Sequence, residues 1–361
     1  MPIRAFSIES FRNIEAADLV FSPHINLITG ANAAGKTSLL EAIHCLARTR
    51  SFRTNQLSRL VRQGESGFKL LADVELDNGT RLPVGVGFGS SRFEIRMNRQ
   101  PVRRLSELAS IFPMQVLAGN IHQLIEEGPR YRRRYLDWGL FHVEPTYAEV
   151  WRRYHRVLKQ RNAALRHRVP DAELDVWDEE IVKESLIINK LRINYLARLA
   201  EQLDVIVNAL LEMPGNLTLT YQAGTVAGKS MEESLRHQRG RDRETGATHS
   251  GPHRADIGFD YQGRDLLPVL SRGRQKLLVI ALQLAQLRLI PMNTPASRLL
   301  LLDDLGAELD MDNQRRVFDE LAATAAQVFV TAIQEDVWKT WVEPGQLGVF
   351  HVEHGKVGRV I

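Results

Sequence analysis

Gly30-Ala31-Asn32-Ala33-Ala34-Gly35-Lys36-Thr37 follows the run Ile25-Asn26-Leu27-Ile28 and precedes Ser38-Leu39-Leu40-Glu41-Ala42-Ile43-His44-Cys45-Leu46. The first flank is a short apolar run that reads as a buried strand, and the second reads as a helix. A strand, a glycine loop and a helix in that order turn the G-x-x-x-x-G-K-[ST] spacing into a site. The glycines let the backbone curl so that its N–H groups face phosphate oxygens, and the helix N-terminus adds partial positive charge. Lys36 can reach the β- and γ-phosphates of ATP, and the Thr37 hydroxyl can ligate Mg2+. Gly30 through Ser38 are therefore the candidate nucleotide-binding residues. The competing reading, a Gly/Ala-rich turn that merely fits, is disfavoured by both flanks.

A phosphate loop alone does not hydrolyse ATP, because a metal ion and a water must also be placed. Arg298-Leu299-Leu300-Leu301-Leu302-Asp303-Asp304 supplies the second half. Its leucines read as a fully buried parallel strand, and carboxylates at the carboxyl end of such a strand emerge where α/β sheets bind ligands. Asp303 is the candidate metal-side carboxylate. Asp304 is the candidate that orients or deprotonates the attacking water, and Lys36 completes the catalytic set. More than half the chain separates the two motifs, so something substantial is inserted into the nucleotide fold.

A third motif, Leu270-Ser271-Arg272-Gly273-Arg274-Gln275-Lys276-Leu277-Leu278, lies just upstream of the acidic strand. Ser271 reads as an N-cap, and Gly273 permits close backbone approach at the mouth of a helix. This is a second anion-binding helix terminus. One γ-phosphate does not easily occupy two helix mouths of the same sheet. The economical arrangement is a homodimer, in which Ser271 and Gly273 of one copy close over ATP held by the loop of the other.

With 361 residues, 44% of them hydrophobic and 25% charged, the chain reads as a globular protein of two domains. The single cysteine, Cys45, excludes an intramolecular disulfide and falls among apolar helix positions, as a packed thiol does. No run approaches the roughly 20 apolar residues that span a bilayer, and the N-terminus lacks a signal peptide's apolar core. A cytoplasmic protein with no membrane partner is the simplest expectation. Net charge is only +4, but the arginines cluster. The densest stretch, from Arg130 to Arg168, has few acids and suggests a polyanion partner. Arg132, Arg133, Arg152, Arg153, Lys159 and Arg161 are its candidate DNA contacts, against the alternative of solvated helix faces.

Strand-like runs at Ile3–Ser7, Asn26–Thr29, Phe68–Leu76, Leu82–Phe88 and Phe93–Met97 surround the phosphate loop, with hairpin turns at Asn78-Gly79 and Gly89-Ser90. From about 130 to 212 the signals are helical. A short strand (Leu217–Tyr221) and a polar helix then lead to Ser250. Strands resume at Asp256–Tyr261, Leu299–Leu302, Gln327–Thr331 and Gly348–Glu353. The expected fold is α/β, with a head of 1–129 and 251–361 and an inserted helical arm of 130–250. The arm helices read as too short and too irregular in heptads for a long coiled coil. Thr331 is open between a γ-phosphate contact and a packed β-branched residue. Gly251-Pro252-His253-Arg254 is open between an interface and a structural turn.

Together the three motifs resemble those of ABC/SMC-type ATPase heads: Walker A, the LS-x-G signature, and Walker B followed by a loop, here Ala307-Glu308-Leu309-Asp310. Within that group the chain resembles the RecF family over essentially its full length. Carrying the resemblance are Phe11-Arg12-Asn13, the Gly30–Thr37 loop, the segment from Tyr131 to Gly139, the segment from Leu158 to Leu165 with Lys159-Gln160-Arg161-Asn162, Gly251-Pro252-His253-Arg254, and Leu302-Asp303-Asp304. The resemblance implies an ATPase head with an inserted arm, Arg12 and Asn13 among the nucleotide-site residues, ATP-dependent homodimerisation, and slow ATPase activity used as a switch. It also implies binding to gapped DNA and single-strand/duplex junctions, and work with RecO- and RecR-type partners in loading RecA for repair and replication restart. Two sites depart from the family pattern: Arg274 follows Gly273 where Gln is common, and Gly119-Asn120 stand where a Pro-Glu pair is frequent. The second Walker B acid, Asp304, is shorter than the glutamate of many transporter ATPases. Motif order also fits a transporter ATPase subunit, which lacks a basic helical insert of this size. The Arg274 departure keeps open a scaffold that binds ATP without turnover.

Overall fold

Every residue of Ile25–Thr29, Leu299–Leu302 and Gln327–Thr331 is buried, as strands covered on both faces must be. The computed structural model, which describes residues 2–76, 78–118, 123–213, 217–291, 298–306, 309–332, 341 and 346–360, makes them neighbours in one sheet. The chain divides into two units, Met1–Ile121 with Met292–Ile361, and His122–Pro291.

The first unit begins with β1 (Ile3–Phe11), β2 (Ile14–Val20), β3 (Ile25–Thr29) and α1 (Lys36–Arg48). It continues through β4 (Gly67–Glu75), β5 (Arg81–Gly89), β6 (Arg92–Met97), β7 (Gln100–Pro101), α2 (Leu105–Ile111) and β8 (Met114–Leu117). The second unit holds α3 (Gln123–Glu126), α4 (Pro129–Val143), α5 (Tyr147–His167), α6 (Asp171–Leu211), β9 (Leu217–Gln222), α7 (Met231–Thr245), β10 (Asp256–Tyr261), β11 (Arg264–Asp265) and α8 (Arg272–Leu289). The chain then completes the first unit with β12 (Leu299–Leu302), α9 (Met311–Ala322), β13 (Gln327–Thr331), β14 (Leu347–Glu353) and β15 (Lys356–Arg359).

Two sheets build the first unit. One runs β15-β14-β3-β13-β12-β8, parallel except for the β14–β15 hairpin. Because β13 lies between β3 and β12, the phosphate loop, Thr331 and the acidic pair leave the same edge of the sheet side by side. The other sheet, β2-β1-β4-β5-β6-β7, is antiparallel throughout. Its turn after β5 is made by Ser90 and Ser91, at φ 49° and 63°, one residue beyond the expected Gly89-Ser90. These two left-handed residues match the twist of the strands they join. Helix α1 packs against both sheets and is buried from Ser38 to Ala47.

In the second unit α6 is 41 residues long, about 60 Å at helical rise. This corrects the expectation of short arm helices. No Gly or Pro interrupts Asp171–Leu211, and α5, α7, α8 and β9 pack along α6. It is a globular spine, not half of a coiled coil. On α4, a Cβ at Gly139 would lie 2.0 Å from Tyr195 Oη and 2.6 Å from Gln286 Nε2. That close approach of α4 to α6 and α8 explains the glycine.

Candidate active site

The loop after β3 departs from ordinary backbone where the sequence places glycine. Gly30 has φ 142° and Gly35, the N-cap of α1, φ 124°. A Cβ on Gly30 would sit 2.3 Å from the Val352 carbonyl oxygen, so only glycine fits both the conformation and the space. Ala31, Asn32 and Ala33 form the exposed crest of the loop, while Ala34, Gly35 and Ser38 are buried. The crest is pinned from behind. Asn13 Nδ2 donates to the Ala34 carbonyl at 3.1 Å, and the Gly355 N–H donates to the same oxygen at 2.9 Å. Lys36 Nζ donates to the carbonyls of Gly30 (2.7 Å) and Ala31 (3.0 Å), which holds the ammonium over the concave side of the loop.

Asn13 therefore meets the loop directly; Arg12 acts on its surroundings. Arg12 adopts φ 55° in the β1–β2 turn. Its Nε and Nη2 donate to the two carboxylate oxygens of Glu41 at 2.7 and 2.6 Å, and its Nη1 donates to the Arg59 carbonyl at 2.9 Å. Glu41 is fully buried on α1 and also accepts from Ser51 Oγ. A paired buried carboxylate is the stable form of such a site. The Phe11-Arg12-Asn13 segment is thus a clamp that ties the β1–β2 turn to the first helix and to the loop.

Thr37 and Asp303 are 266 residues apart in sequence, yet the Thr37 hydroxyl donates to Asp303 Oδ1 and Oδ2 at 3.0 and 3.1 Å. Asp303 is half-buried at the end of β12 and its N–H donates to the Leu117 carbonyl on β8. A hydroxyl and a carboxylate meeting at the foot of a phosphate loop are hard oxygen donors of the kind Mg2+ prefers. One hydroxyl and one carboxylate leave most of an octahedral shell to phosphate and water oxygens, as Mg2+ sites commonly do. Thr331 is buried, and its hydroxyl donates to Asp303 Oδ1 at 2.9 Å while accepting the Asp304 N–H at 2.8 Å. Asp304 itself is exposed, at φ 54°. Of the acidic strand's trailing loop, Asp310 caps α9 by accepting the Asn313 N–H at 2.8 Å. Ala307 and Glu308 lie outside the described residues, as do Gly119 and Asn120.

In the second unit Ser271 is the N-cap of α8, as its sequence context predicts, but its side chain makes no capping bond. Its carbonyl accepts the Gln275 N–H at 2.8 Å. Ser271, Arg272 and Arg274 are exposed and Gly273 is half-buried.

The arginine-rich stretch resolves into two kinds of residue. Arg152 and Lys159 are exposed on α5. Arg153 pairs with Glu149 and Glu184, both at 2.9 Å, and Arg133 donates to the Ala255 carbonyl at 2.7 Å. Arg132 and Arg161, expected to contact DNA, are instead internal. Arg132 forms a two-pronged pair with Asp256, both bonds 2.7 Å. Arg161 has no exposed surface, and donates to Asp178 (2.5 Å), Asp242 (2.7 Å) and Thr248 (2.9 Å). Burying a guanidinium requires such partners, and their presence removes both residues from the candidate DNA surface.

The same network absorbs Asn162 and the Gly251-Pro252-His253-Arg254 segment, whose role was open. Asn162 Oδ1 accepts from Thr248 N and Oγ1, and His253 Nε2 donates to the Thr248 carbonyl at 3.0 Å. Tyr154 Oη donates to His253 Nδ1 at 2.6 Å, and Arg192 donates to the Pro252 carbonyl at 2.8 Å. Burial lowers the His253 pKa to about 4, so the ring is neutral and its tautomer fixed. Gly251-Pro252-His253-Arg254 is a packing turn against α5 and α6. Sequence reading missed the Asn13–Ala34–Gly355 clamp and the Thr331 bridge. The one local signal for the Arg12–Glu41 pair was an acid amid the apolar positions of α1.

A P-loop ATPase head of the SMC type is the class that this fold and site define, and residues 2–357 match the family described as RecF/RecN/SMC N terminal domain. An Smc head bound to the C-winged helix domain of ScpA superposes with a TM-score of 0.63 at 16% identity, over 100% of this chain and 97% of that one, a likeness of fold alone. More specifically, the chain is 38% identical to the DNA replication and repair protein RecF of Chromohalobacter salexigens, over 99% of both. It is 35% identical to RecF of Pseudomonas putida, over 99% of this chain and 98% of that protein. A solved structure of the recombination mediator protein RecF with ATP in the RecFOR pathway matches with a TM-score of 0.83 at 25% identity, covering 100% of this chain and 98% of that one. The chain belongs to the RecF family of DNA replication and repair proteins.

Proposed function

We propose that this chain is an ATP-switched DNA clamp: it dimerises on Mg·ATP, grips duplex DNA near a single-strand junction or gap, and lets go after slow, DNA-stimulated hydrolysis. The observation that carries this reading is the meeting of Thr37, from the phosphate loop, with Asp303, from the acidic strand. In functional terms the head spans 1–129 and 251–361, because the Ser271 turn belongs with the nucleotide chemistry, and 130–250 is the inserted arm. The protein works in the cytoplasm, with RecR- and RecO-type partners, in recombinational repair and replication restart.

The residues divide the task as follows. The N–H groups of Gly30 to Ser38 bind the phosphates, and Lys36 exchanges its two loop carbonyls for β- and γ-phosphate oxygens. Thr37 and Asp303 would hold Mg2+, which when bound offsets phosphate charge and polarises the transferring group. Asp304 accepts a proton from the attacking water as its oxygen bonds to the γ-phosphorus and the β–γ bridging P–O bond breaks, yielding ADP and phosphate. The Ser271 hydroxyl, uncommitted to its own helix, and the Gly273 backbone close over the γ-phosphate of the partner copy. A short aspartate at 304 suits a slow switch better than a motor. Exposed Arg152 and Lys159 supply phosphate contacts on DNA, with Arg133 and Arg153 available at the margin.

The test is Lys36→Met, compared with the unaltered protein on gapped, duplex and single-stranded DNA across a salt series. We expect ATP binding and ATP-dependent retention on DNA to disappear together, and the residual binding to show the steep salt dependence of simple phosphate contact. A variant that holds DNA as tightly as the parent at equal salt, with Mg·ATP present, refutes the switch. A single-turnover hydrolysis assay on gapped DNA separates it from a non-hydrolysing scaffold.

A further inference from the structure

Resting on the reading of this chain as an ATPase, we infer that Thr331 is a positioning residue for hydrolysis, whose hydroxyl locks the Asp303 carboxylate and the Asp304 backbone into one unit. A threonine hydroxyl has one proton to donate and lone pairs to accept. Here both capacities are used on consecutive residues of the acidic pair: Oγ1 donates to Asp303 Oδ1 at 2.9 Å and accepts from the Asp304 N–H at 2.8 Å. Thr331 ends β13, the strand between those that carry the loop and the acids, and only 1% of it is exposed. Water is thus excluded from the bridge.

Two consequences set this hydroxyl apart from a packing group. First, Asp303 Oδ1 receives two hydroxyl donors, Thr37 at 3.0 Å and Thr331 at 2.9 Å. The carboxylate is therefore held at both its loop side and its strand side, and its free rotation about χ2 is blocked. Second, Asp304 sits at φ 54°, a left-handed conformation that an aspartate holds only against a local energy cost. The bond from its N–H to Thr331 holds that peptide in place, and the direction of the Asp304 side chain follows from it. Losing the hydroxyl leaves the Asp304 N–H without its acceptor and releases the backbone toward ordinary φ, swinging the carboxylate away from where water must be met. Phosphate binding, which rests on the loop and Lys36, is untouched. Thr331 thereby acts through Asp303 and Asp304, and it need not touch substrate.

The experiment uses the full chain with Mg·ATP and gapped DNA. Thr331→Val keeps shape and β-branching but removes the hydroxyl; Thr331→Cys keeps volume with only a weak donor and serves if the valine variant does not fold; Thr331→Ser keeps the hydroxyl. Losing one hydrogen bond to a charged group predicts about a tenfold to hundredfold fall in turnover for Val and Cys. The Kd for ATP should stay within about threefold and ATP-dependent dimers should live longer, with Ser restoring turnover to within about threefold of the parent. Melting curves establish that each variant is folded at the assay temperature. Turnover of the valine or cysteine variant within about threefold of the parent overturns the inference, as does loss of ATP binding in step with turnover, or a serine variant as slow as valine. A parent protein that binds but never hydrolyses ATP instead refutes the ATPase reading on which the inference stands.

Discussion

Replacing Arg161 with methionine separates a structural arginine from a DNA contact, and the structure sets the size of the effect. Methionine keeps most of the apolar stem, so the change removes chiefly the guanidinium. Three donated bonds vanish: to Asp178 at 2.5 Å, to Asp242 at 2.7 Å and to Thr248 at 2.9 Å. Breaking a buried ion pair by deleting one partner costs about 3–5 kcal/mol, because the remaining charge is left buried. Both acids keep some support. Asp242 still accepts from the backbone N–H of His249 at 3.0 Å and lies 2.8 Å from its ring nitrogen, and Asp178 still pairs with Arg239 at 2.8 Å. The loss should therefore fall near the lower bound, about 3 kcal/mol. For a unit the size of His122–Pro291 that corresponds to a fall in Tm of roughly 6–12 °C. Urea unfolding and thermal melting measure it. Adding Asp242→Leu, which replaces the orphaned charge by an apolar side chain, should recover much of the loss. At a temperature where the variant is folded, its DNA affinity and salt slope should equal the parent's. Lys159→Ala should do the reverse, changing stability by less than about 0.5 kcal/mol but reducing the salt slope by about one. If Arg161→Met melts like the parent while weakening DNA binding as Lys159→Ala does, the assignment of Arg161 to the interior is wrong.

Gly355→Ala should damage the nucleotide site from behind, since its Cβ would lie 2.0 Å from the Asn13 carbonyl oxygen and its φ is 79°; about 1–3 kcal/mol of stability and a measurable weakening of ATP affinity by calorimetry are expected, whereas Gly358→Ala, with open space at its Cβ, should change neither. Acid should destabilise both units: burial lowers His44 and His253 to pKa values of about 4, so below about pH 6.5 the unfolded chain takes up protons that the folded chain refuses. Stability should then be full above pH 6.5 and decline by about 1.4 kcal/mol per pH unit for each histidine as pH falls toward 4; urea midpoints that stay constant from pH 7 to 5 contradict this. Ser271→Arg should abolish ATP-dependent dimers in sedimentation while leaving ATP binding by the single chain intact, and dimers that persist in that variant would remove the Ser271 turn from the interface.

Much of the head was legible because its signals are short-range. The apolar runs at Ile25 and Leu299 read as strands covered on both faces, and the glycines at 30 and 35 read as loop. Strand β2 escaped notice. Its alternation, Ile14-Glu15-Ala16-Ala17-Asp18-Leu19-Val20, is diluted by alanines with weak strand preference, and pairing with β1 overrides it. The spine helix α6 was read as both too short and too irregular in heptads for a long coiled coil. That irregularity reflects a helix with different neighbours along its length, so no single apolar stripe repeats. The charge run from Arg130 to Arg168 misled most, since a basic residue looks the same in sequence whether it faces water or an aspartate 81 residues away.

What the amino-acid order determined by itself was the phosphate loop, the acidic strand and the helix start at Ser271. Each is a strand, loop or helix end whose conformation follows from a few adjacent residues. Which charges are buried, which hydroxyl bridges the two acids, and what holds the loop from behind were decided only by the folded chain. The Thr37–Asp303, Thr331–Asp304 and Ala34–Gly355 contacts join residues distant in sequence. The free energy of such contacts depends on removal from water and on partner geometry, and neither exists until the sheets have closed around the first helix.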